Sequence, residues 1–536
     1  MQWTPSPRQS SASASPSGSP CEQATAPRRR TGSAAVLDAI PFLDAIPFLD
    51  ALLLLGISVL SFLALGYHPG FEDDGVYLAA VEHRVHPELF PRDAHFFTLQ
   101  LQATLFDRFM AAWIRLTHLS IGTSELLWQC VAIVGILWAA RRILEHCGMG
   151  RESQWAGVAM LGAMFSLPVS GTALYILDQH LHPRALATLL ILVAVGLLME
   201  ARPWLAALCL MVAFLFHPIM GAMGCSLCLF LLLALRGRLD WMLRSERRAT
   251  QRFAFAAVPL GWIFERPSPA WRAALETRRY YFLYQWHWYE WLGALAPIAL
   301  FWLLAQWASR QGNRMLARLA AAVVAYATVQ QSVAMVLDGP QALIRWIPLQ
   351  PMRYLHLVYV LLVLLAGALL GQALLRARLW RWVVYLACIY GGMYASQRAI
   401  FANTVPVEWP GAASGNAWVQ AFAWIRTHTP KDAYFAVDPR YLESDGEDFH
   451  NFRALAERSV LADAVKDAAV CTQVPELAAE WRQQRDAQTG LNGFSLAQME
   501  ALKAHTGANW ALLSYPAHAG LDCRWHNRVL TVCRIP

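Results

Sequence analysis

Lysine is nearly missing from this chain of 536 residues: only Lys431, Lys466 and Lys503 occur among 44 basic residues, and the rest are arginine. Charge of either sign is sparse too, at 15% of residues, against 57% hydrophobic. So few charges exclude the water-facing surface of an ordinary soluble protein of this length. Beyond residue 401 no CxxC pair or Cys/His pattern has the spacing of a zinc or redox motif. No repeat has a solenoid period. The hexamer DAIPFL stands twice in tandem, at 38–43 and 44–49, and reads as a local duplication. Nothing near Met1 has the pattern of a cleavable signal peptide. The net charge of +7 is modest and spread over loops, which argues against a nucleic-acid partner. The arginine bias itself fits a GC-rich genome.

What is present is apolar length. The chain has 23 tryptophans and a mean hydropathy of +0.34. Runs of about 20 residues with few charges recur over the first 400 positions, as a hydrocarbon core about 30 Å thick requires of a helix. They predict about eleven transmembrane helices, at 47–66, 123–140, 155–176, 183–200, 203–217, 219–235, 252–265, 291–308, 318–337, 352–373 and 380–397. Short cytoplasmic loops retain arginine and lysine. Placing the N-terminus in the cytoplasm puts Arg28 to Arg30, Arg141, Arg142, the cluster from Arg236 to Arg248, Arg376, Arg378 and Arg381 on that side. The exceptions are Arg278 and Arg279, in an aromatic-rich loop that falls outside.

The chain therefore divides into a disordered cytoplasmic tail at 1–34, a transmembrane domain at 35–401 and an extracytoplasmic domain at 402–536. The tail is rich in Ser, Pro and Arg and cannot bury enough apolar surface to fold. Beyond residue 401 charges return and apolar runs shorten to strand length. NAWVQAFAWIRTHTPKDAYFAV predicts a helix stopped before Pro430 and a strand over Tyr434 to Val437. SLAQMEALKAHTG predicts a helix capped by Ser495 and ended by Gly507, followed by strands in WALLSY and RVLTVCRI. This is a small α/β domain. Its Cys523 and Cys533 could pair across a hairpin, which would leave Cys471 over.

Three loops that this topology places together carry the chemistry. The first, after the first span, contains GFEDDGVY and continues to HPELFPRDAHF. It gathers Glu72, Asp73, Asp74 and Asp93 among His68, His83, His86 and His95. Carboxylates cost several kcal/mol in hydrocarbon, so these acids sit just outside the span. Asp73 and Asp74 could hold a divalent cation such as Mg or Mn, or one could take a proton from an attacking hydroxyl. The second loop, LDQHLHPRAL, offers Asp178, His180, His182 and Arg184. The third, IPLQPMRYLHL, offers Arg353 and His356, three residues apart and so on one helix face. Arg184, Arg353, His182 and His356 are the candidate phosphate contacts; the solvated loop end and the snorkelling arginine are the bland alternatives. Arg453, Arg458 and Lys466 would meet phosphate only if they face the membrane.

Taken together, an acidic first loop, about a dozen spans and an extracytoplasmic C-terminal domain resemble the GT-C glycosyltransferases. FEDDGVY…HPELFPRD, HPRALATLLILVAVGLLMEARPWLAALCLMVAFLFHPIMG and WIRTHTPKDAYFAVDP…FRALAERSVLAD are similar to stretches of bacterial multi-pass proteins of that plan. Trp424 to Pro430 resembles a W-x-R-x-N-T-P element, with His428 in place of Asn. The resemblance covers nearly the whole chain beyond residue 60. It implies a bacterial inner-membrane enzyme that transfers a sugar from a polyprenyl-phosphate-linked donor, with the membrane lipid as a partner. Asp73 or Asp74 would be base or metal ligand, and Asp93 a second acid. The rival from another class is a transporter or flippase, for which FLFHPIMG, with His217 and Pro218, is the candidate broken helix. A non-catalytic membrane scaffold is a third reading.

Overall fold

Most of the described apolar runs fold as single helices, even across Gly135 in Ile121–His146 and Pro297 in Trp288–Arg310. The computed structural model describes residues 48–243, 268–338, 341–376, 378–517 and 520–536. The expected tail, the span at 252–265 and Arg244, Arg247 and Arg248 lie outside these residues.

Among the described residues six helical segments are long and apolar enough to cross a membrane: Phe48–Leu65, Ile121–His146, Pro218–Leu235, Trp288–Arg310, Arg314–Asp338 and Leu343–Leu375. Two shorter apolar helices are Pro183–Met199 and Pro203–Phe216. Leu55, Val59, Trp204, Met211, Leu292 and Leu303 project outward from these helices. Exposed aliphatic faces of this kind suit lipid, not water.

The count falls below eleven for identifiable reasons. The expected span at 155–176 is a helix only over Arg151–Ala163. The chain then turns into a hairpin of β1 (Pro168–Val169) and β2 (Leu174–Tyr175). At its tip Gly171 adopts φ +62°, and a Cβ there would stand 2.3 Å from the Trp286 ring. The expected span at 380–397 is helical over Leu379–Ile400, but Arg381 and Arg398 dilute its apolar character. Helices Arg151–Ala163 and Tyr354–Leu370 approach closely at Gly157 and Gly367, where a Cβ on Gly367 would lie 2.5 Å from that of Met160. Small residues let helix backbones touch in this way.

The C-terminal predictions hold in detail. Asn416 caps helix Ala417–His428 by accepting from the amides of Trp418 and Val419, and Pro430 follows its end. Ser495 and Gln498 form a reciprocal cap on Leu496–Thr506, which Gly507 ends at φ +79°. Strands β3 (Tyr434–Ala436), β4 (Ser459–Val460), β5 (Trp510–Ser514), β6 (Asp522–His526) and β7 (Leu530–Arg534) form one sheet in the order β4-β3-β5-β7-β6. β3 runs parallel to β4 and β5, and the last hairpin is antiparallel. Cys523 and Cys533 are disulfide-bonded across that hairpin, and Cys471 is a buried free thiol.

This sheet region does not hang free of the helices. Residues 53–536 make one compact unit. The first loop is laced to it by backbone bridges Tyr67↔Val407 and Phe71↔His450. Two glycines flanking the acids permit that contact. A Cβ on Gly70 would meet Leu455 at 2.6 Å, and one on Gly75 would meet Asn451 at 2.1 Å. The sequence stretches FEDDG and NFRAL are thus packed against each other.

Candidate active site

Asp73 lies at the N-terminus of helix Asp74–Val85, where Glu72 takes a left-handed φ of 47° and its amide donates to the Phe449 carbonyl. This turn aims successive acids in different directions. The Asp73 carboxylate, about a third exposed, faces a cleft of about 410 Å³. Asp74 points inward and is buried, accepting from the Gly70 amide at 2.8 Å with His180 Nε2 3.7 Å away.

Three cations and two acids line the cleft. Lys466 Nζ lies 2.9 Å from Asp73 Oδ1 and 2.6 Å from Glu72 Oε2. Arg278 and Arg353 stand in the same wall, beside His182, His217 and Tyr281. Val76, Ala103, Ile219 and Leu349 supply apolar lining. Arg278 Nε and Nη2 and Arg353 Nε are shielded from water and have no hydrogen-bond partner in the protein. Shielded guanidinium donors without partners are costly unless an anion meets them. His182 Nε2 lies 3.5 Å from Asp73 Oδ2, and its Nδ1 accepts from the Arg184 amide, capping helix Pro183–Met199.

Charge arrangement sets the protonation of the acids. Burial pushes the Asp73 carboxyl up, but the Lys466 ammonium and the His182 ring outweigh it and hold Asp73 well below the usual range. Burial, then the negative charge of Glu125, raises Asp74 well above it. The two neighbours are therefore pushed in opposite directions: the surroundings favour the carboxylate at Asp73 and the protonated acid at Asp74.

Several expected site residues are placed elsewhere. Asp93 is buried away from the cleft, held by Arg453 Nε at 2.6 Å and the Val460 amide at 3.1 Å. Arg184 does not line the cleft; its Nη2 is spent on both oxygens of Asp178, at 2.6 and 2.5 Å. His356 is fully buried, bonded to the Ile176 carbonyl at 2.9 Å. Arg353 is the N-cap of the helix Tyr354–Leu370 in which His356 lies, and it lines the cleft while His356 does not. Arg453 is not a surface charge but an ion-pair centre.

Lys466, Arg278 and His217 belong to the cleft without having been assigned to it from sequence. Each had left a trace there. Arg278 violates the arginine topology rule, Lys466 is one of three lysines, and His217 with Pro218 breaks a helix. In the structure His217 ends Pro203–Phe216 and caps Pro218–Leu235, its Nε2 3.4 Å from Arg353 Nη1.

Asp73 and Asp74 do not suit a shared divalent cation. Their carboxylates diverge, burial favours the protonated form of Asp74, and the Lys466 ammonium already sits on Asp73. Among the described residues the group whose ligand atoms converge is His68, Glu408 and His450.

Comparison with known proteins adds little chemistry. A family model described as "Domain of unknown function (DUF6798)" matches residues 416–487, the segment that contributes Arg453 and Lys466. No curated protein matches the chain. Among solved structures, an oligosaccharyltransferase from Archaeoglobus fulgidus, crystallised with Zn and sulfate, is similar at a TM-score of 0.34 and 11% identity. The alignment covers 86% of this chain and 68% of that one.

Proposed function

We propose that the cleft transfers a sugar from a polyprenyl-phosphate-linked donor to an acceptor hydroxyl at the extracytoplasmic membrane face. The carrying observation is that one solvent-reachable acid, Asp73, paired with Lys466, shares the cleft with Arg278 and Arg353, whose shielded guanidinium donors lack partners. Three cations against Glu72 and Asp73 leave an excess positive charge, which suits a phosphate. The apolar lining suits the first carbons of a lipid tail, and the neighbouring apolar helices suit its remainder.

In this reading the acceptor oxygen attacks the anomeric carbon as the bond from that carbon to the lipid phosphate oxygen breaks. Asp73 takes the acceptor proton. The departing phosphate keeps the electron pair and is met by the three cations. Phosphate binding draws Lys466 away from Asp73, and losing that neighbour raises the carboxyl toward the strength a base needs. Positioned bases contribute about 10²–10⁴-fold, and preorganised charge on a leaving group a comparable factor. Orientation with the N-terminus cytoplasmic and residues 402–536 outside belongs to the same proposal; a cytoplasm-dependent reporter fused after Pro536 should be silent.

The test uses full-length protein in lipid nanodiscs, with a panel of polyprenyl-phosphate sugars and a mixed hydroxyl-acceptor pool. Transfer by wild type and roughly tenfold weaker donor binding by Lys466→Met are expected. Failure of every donor to bind, with Lys466→Met indistinguishable from wild type, sinks the reading.

A further inference from the structure

A second polar cluster lies beside the cleft and takes no part in the chemistry above. The bridge Tyr67↔Val407 sets His68 against Glu408, and the bridge Phe71↔His450 brings in the third member. His68 Nδ1 lies 3.1 Å and His450 Nε2 2.9 Å from the same atom, Glu408 Oε2. All three ligand atoms lie within 4.8 Å of one another. The two imidazoles are buried, and the Glu408 side chain is only 11% exposed.

The hydrogen-bond geometry of this cluster leaves a position between its facing acceptors. His450 Nδ1 lies 3.0 Å from the Glu447 carbonyl, which can only accept, so Nδ1 carries a hydrogen. In the neutral ring Nε2 is then a lone pair facing a carboxylate oxygen at 2.9 Å. Two acceptors so close require a proton or a metal ion between them. A carbonyl fixing the far nitrogen of a ligating histidine is the usual support of a metal site. His68 is held in turn by stacking on Phe401, with ring centroids 4.0 Å apart. Asp448, anchored by Asn403 and Thr404, adds negative charge nearby.

We propose that His68, Glu408 and His450 bind one Zn²⁺ that fastens the first loop to the C-terminal segment. Two imidazoles and one carboxylate are a borderline-soft donor set that suits Zn²⁺ over Mg²⁺. With metal–ligand bonds of about 2.0–2.1 Å, tetrahedral neighbours stand about 3.3 Å apart, so each imidazole nitrogen needs to part from the Glu408 oxygen by only a few tenths of an ångström. The fourth position is left for water. The ion would stiffen the platform on which Asp73 sits without touching the cleft.

The test is zinc content. Full-length protein in detergent is stripped with a chelator, exposed to submicromolar free Zn²⁺, gel-filtered and analysed for metal. Wild type should retain one equivalent, and Glu408→Gln and His68→Gln should bind roughly tenfold more weakly or worse. Asp73→Asn should keep the full equivalent. Zinc-free wild type, or full retention by both ligand variants, overturns the site and leaves a protonated His450–Glu408 pair. Loss of zinc from Asp73→Asn overturns it too, because the ion would then belong to the cleft. Should both ligand variants fail to fold, Co²⁺-loaded wild type decides: the visible absorption of a four-coordinate ion supports the site, and its absence overturns it.

Discussion

The first loop meets the C-terminal segment through two clusters of similar composition. At Asp93 the partner is Arg453, which directs Nε to Asp93 and Nη1 and Nη2 to Asp467, all fully buried. At Asp73 the partner is Lys466, and the cluster opens onto a cleft where Arg278 and Arg353 still have unmet donors. In the first, each guanidinium nitrogen has a carboxylate and there is no space for a ligand. In the second, cations outnumber acids and water can enter. Residue type is the same in both; saturation separates a structural ion pair from a binding site.

The largest expected effect should fall on the closed cluster. Arg453→Met leaves Asp93 and Asp467 buried without a cation, a loss of about 3–5 kcal/mol. Thermal unfolding in detergent should show it as a large fall in midpoint or as failure to accumulate. A wild-type midpoint would mean that the cluster is not a structural one, and the contrast would collapse.

Next in size, Asp73→Asn should lower transfer by roughly a hundredfold or more, the usual worth of a positioned base. Its unfolding midpoint should stay near wild type. Asp74→Asn replaces a buried, inward-facing acid whose surroundings favour the protonated form, so its activity should remain within a few fold. Equal losses in both variants would erase the distinction between cleft-facing and inward-facing acid.

A pH titration sharpens the comparison with a third ion pair, Asp178 with Arg184. Burial pushes Asp178 up, but Arg184 dominates the result and the carboxyl falls to about 2 from 3.8. A depressed carboxyl adds stability that is complete above its unfolded value and lost as pH falls through the folded one. Wild type should therefore lose on the order of 2 kcal/mol between about pH 4 and pH 2 that Asp178→Asn does not lose. Parallel curves for the two proteins would show that the pair contributes nothing.

Smallest of all, Glu72→Gln should change stability by no more than about 0.5 kcal/mol, since the side chain is partly exposed and Lys466 retains Asp73. Transfer should drop only slightly. A loss as deep as that of Asp73→Asn would move the base one residue back.

The sequence carried the local facts. Apolar length marked the spans, Ser495, Gly507 and Pro430 marked helix ends, and short apolar runs marked β5 and β7, because each signal is read within a few residues. It also pointed to three loops, of which Asp73, His182 and Arg353 do line one cleft. It did not foretell that Asp93, Arg184 and His356 are held outside this cleft, for a single reason: their partners Arg453, Asp178 and the Ile176 carbonyl are chosen by packing. Which acid of GFEDDG faces the cleft was equally beyond it. That is decided by Glu72's left-handed turn and by Gly70 and Gly75, which let a segment nearly 400 residues away press against the loop. Lys466 enters the cleft by the same approach. Composition and spacing fix which chemical groups are available; only the long-range contacts decide which of them are saturated and which stay open to a substrate.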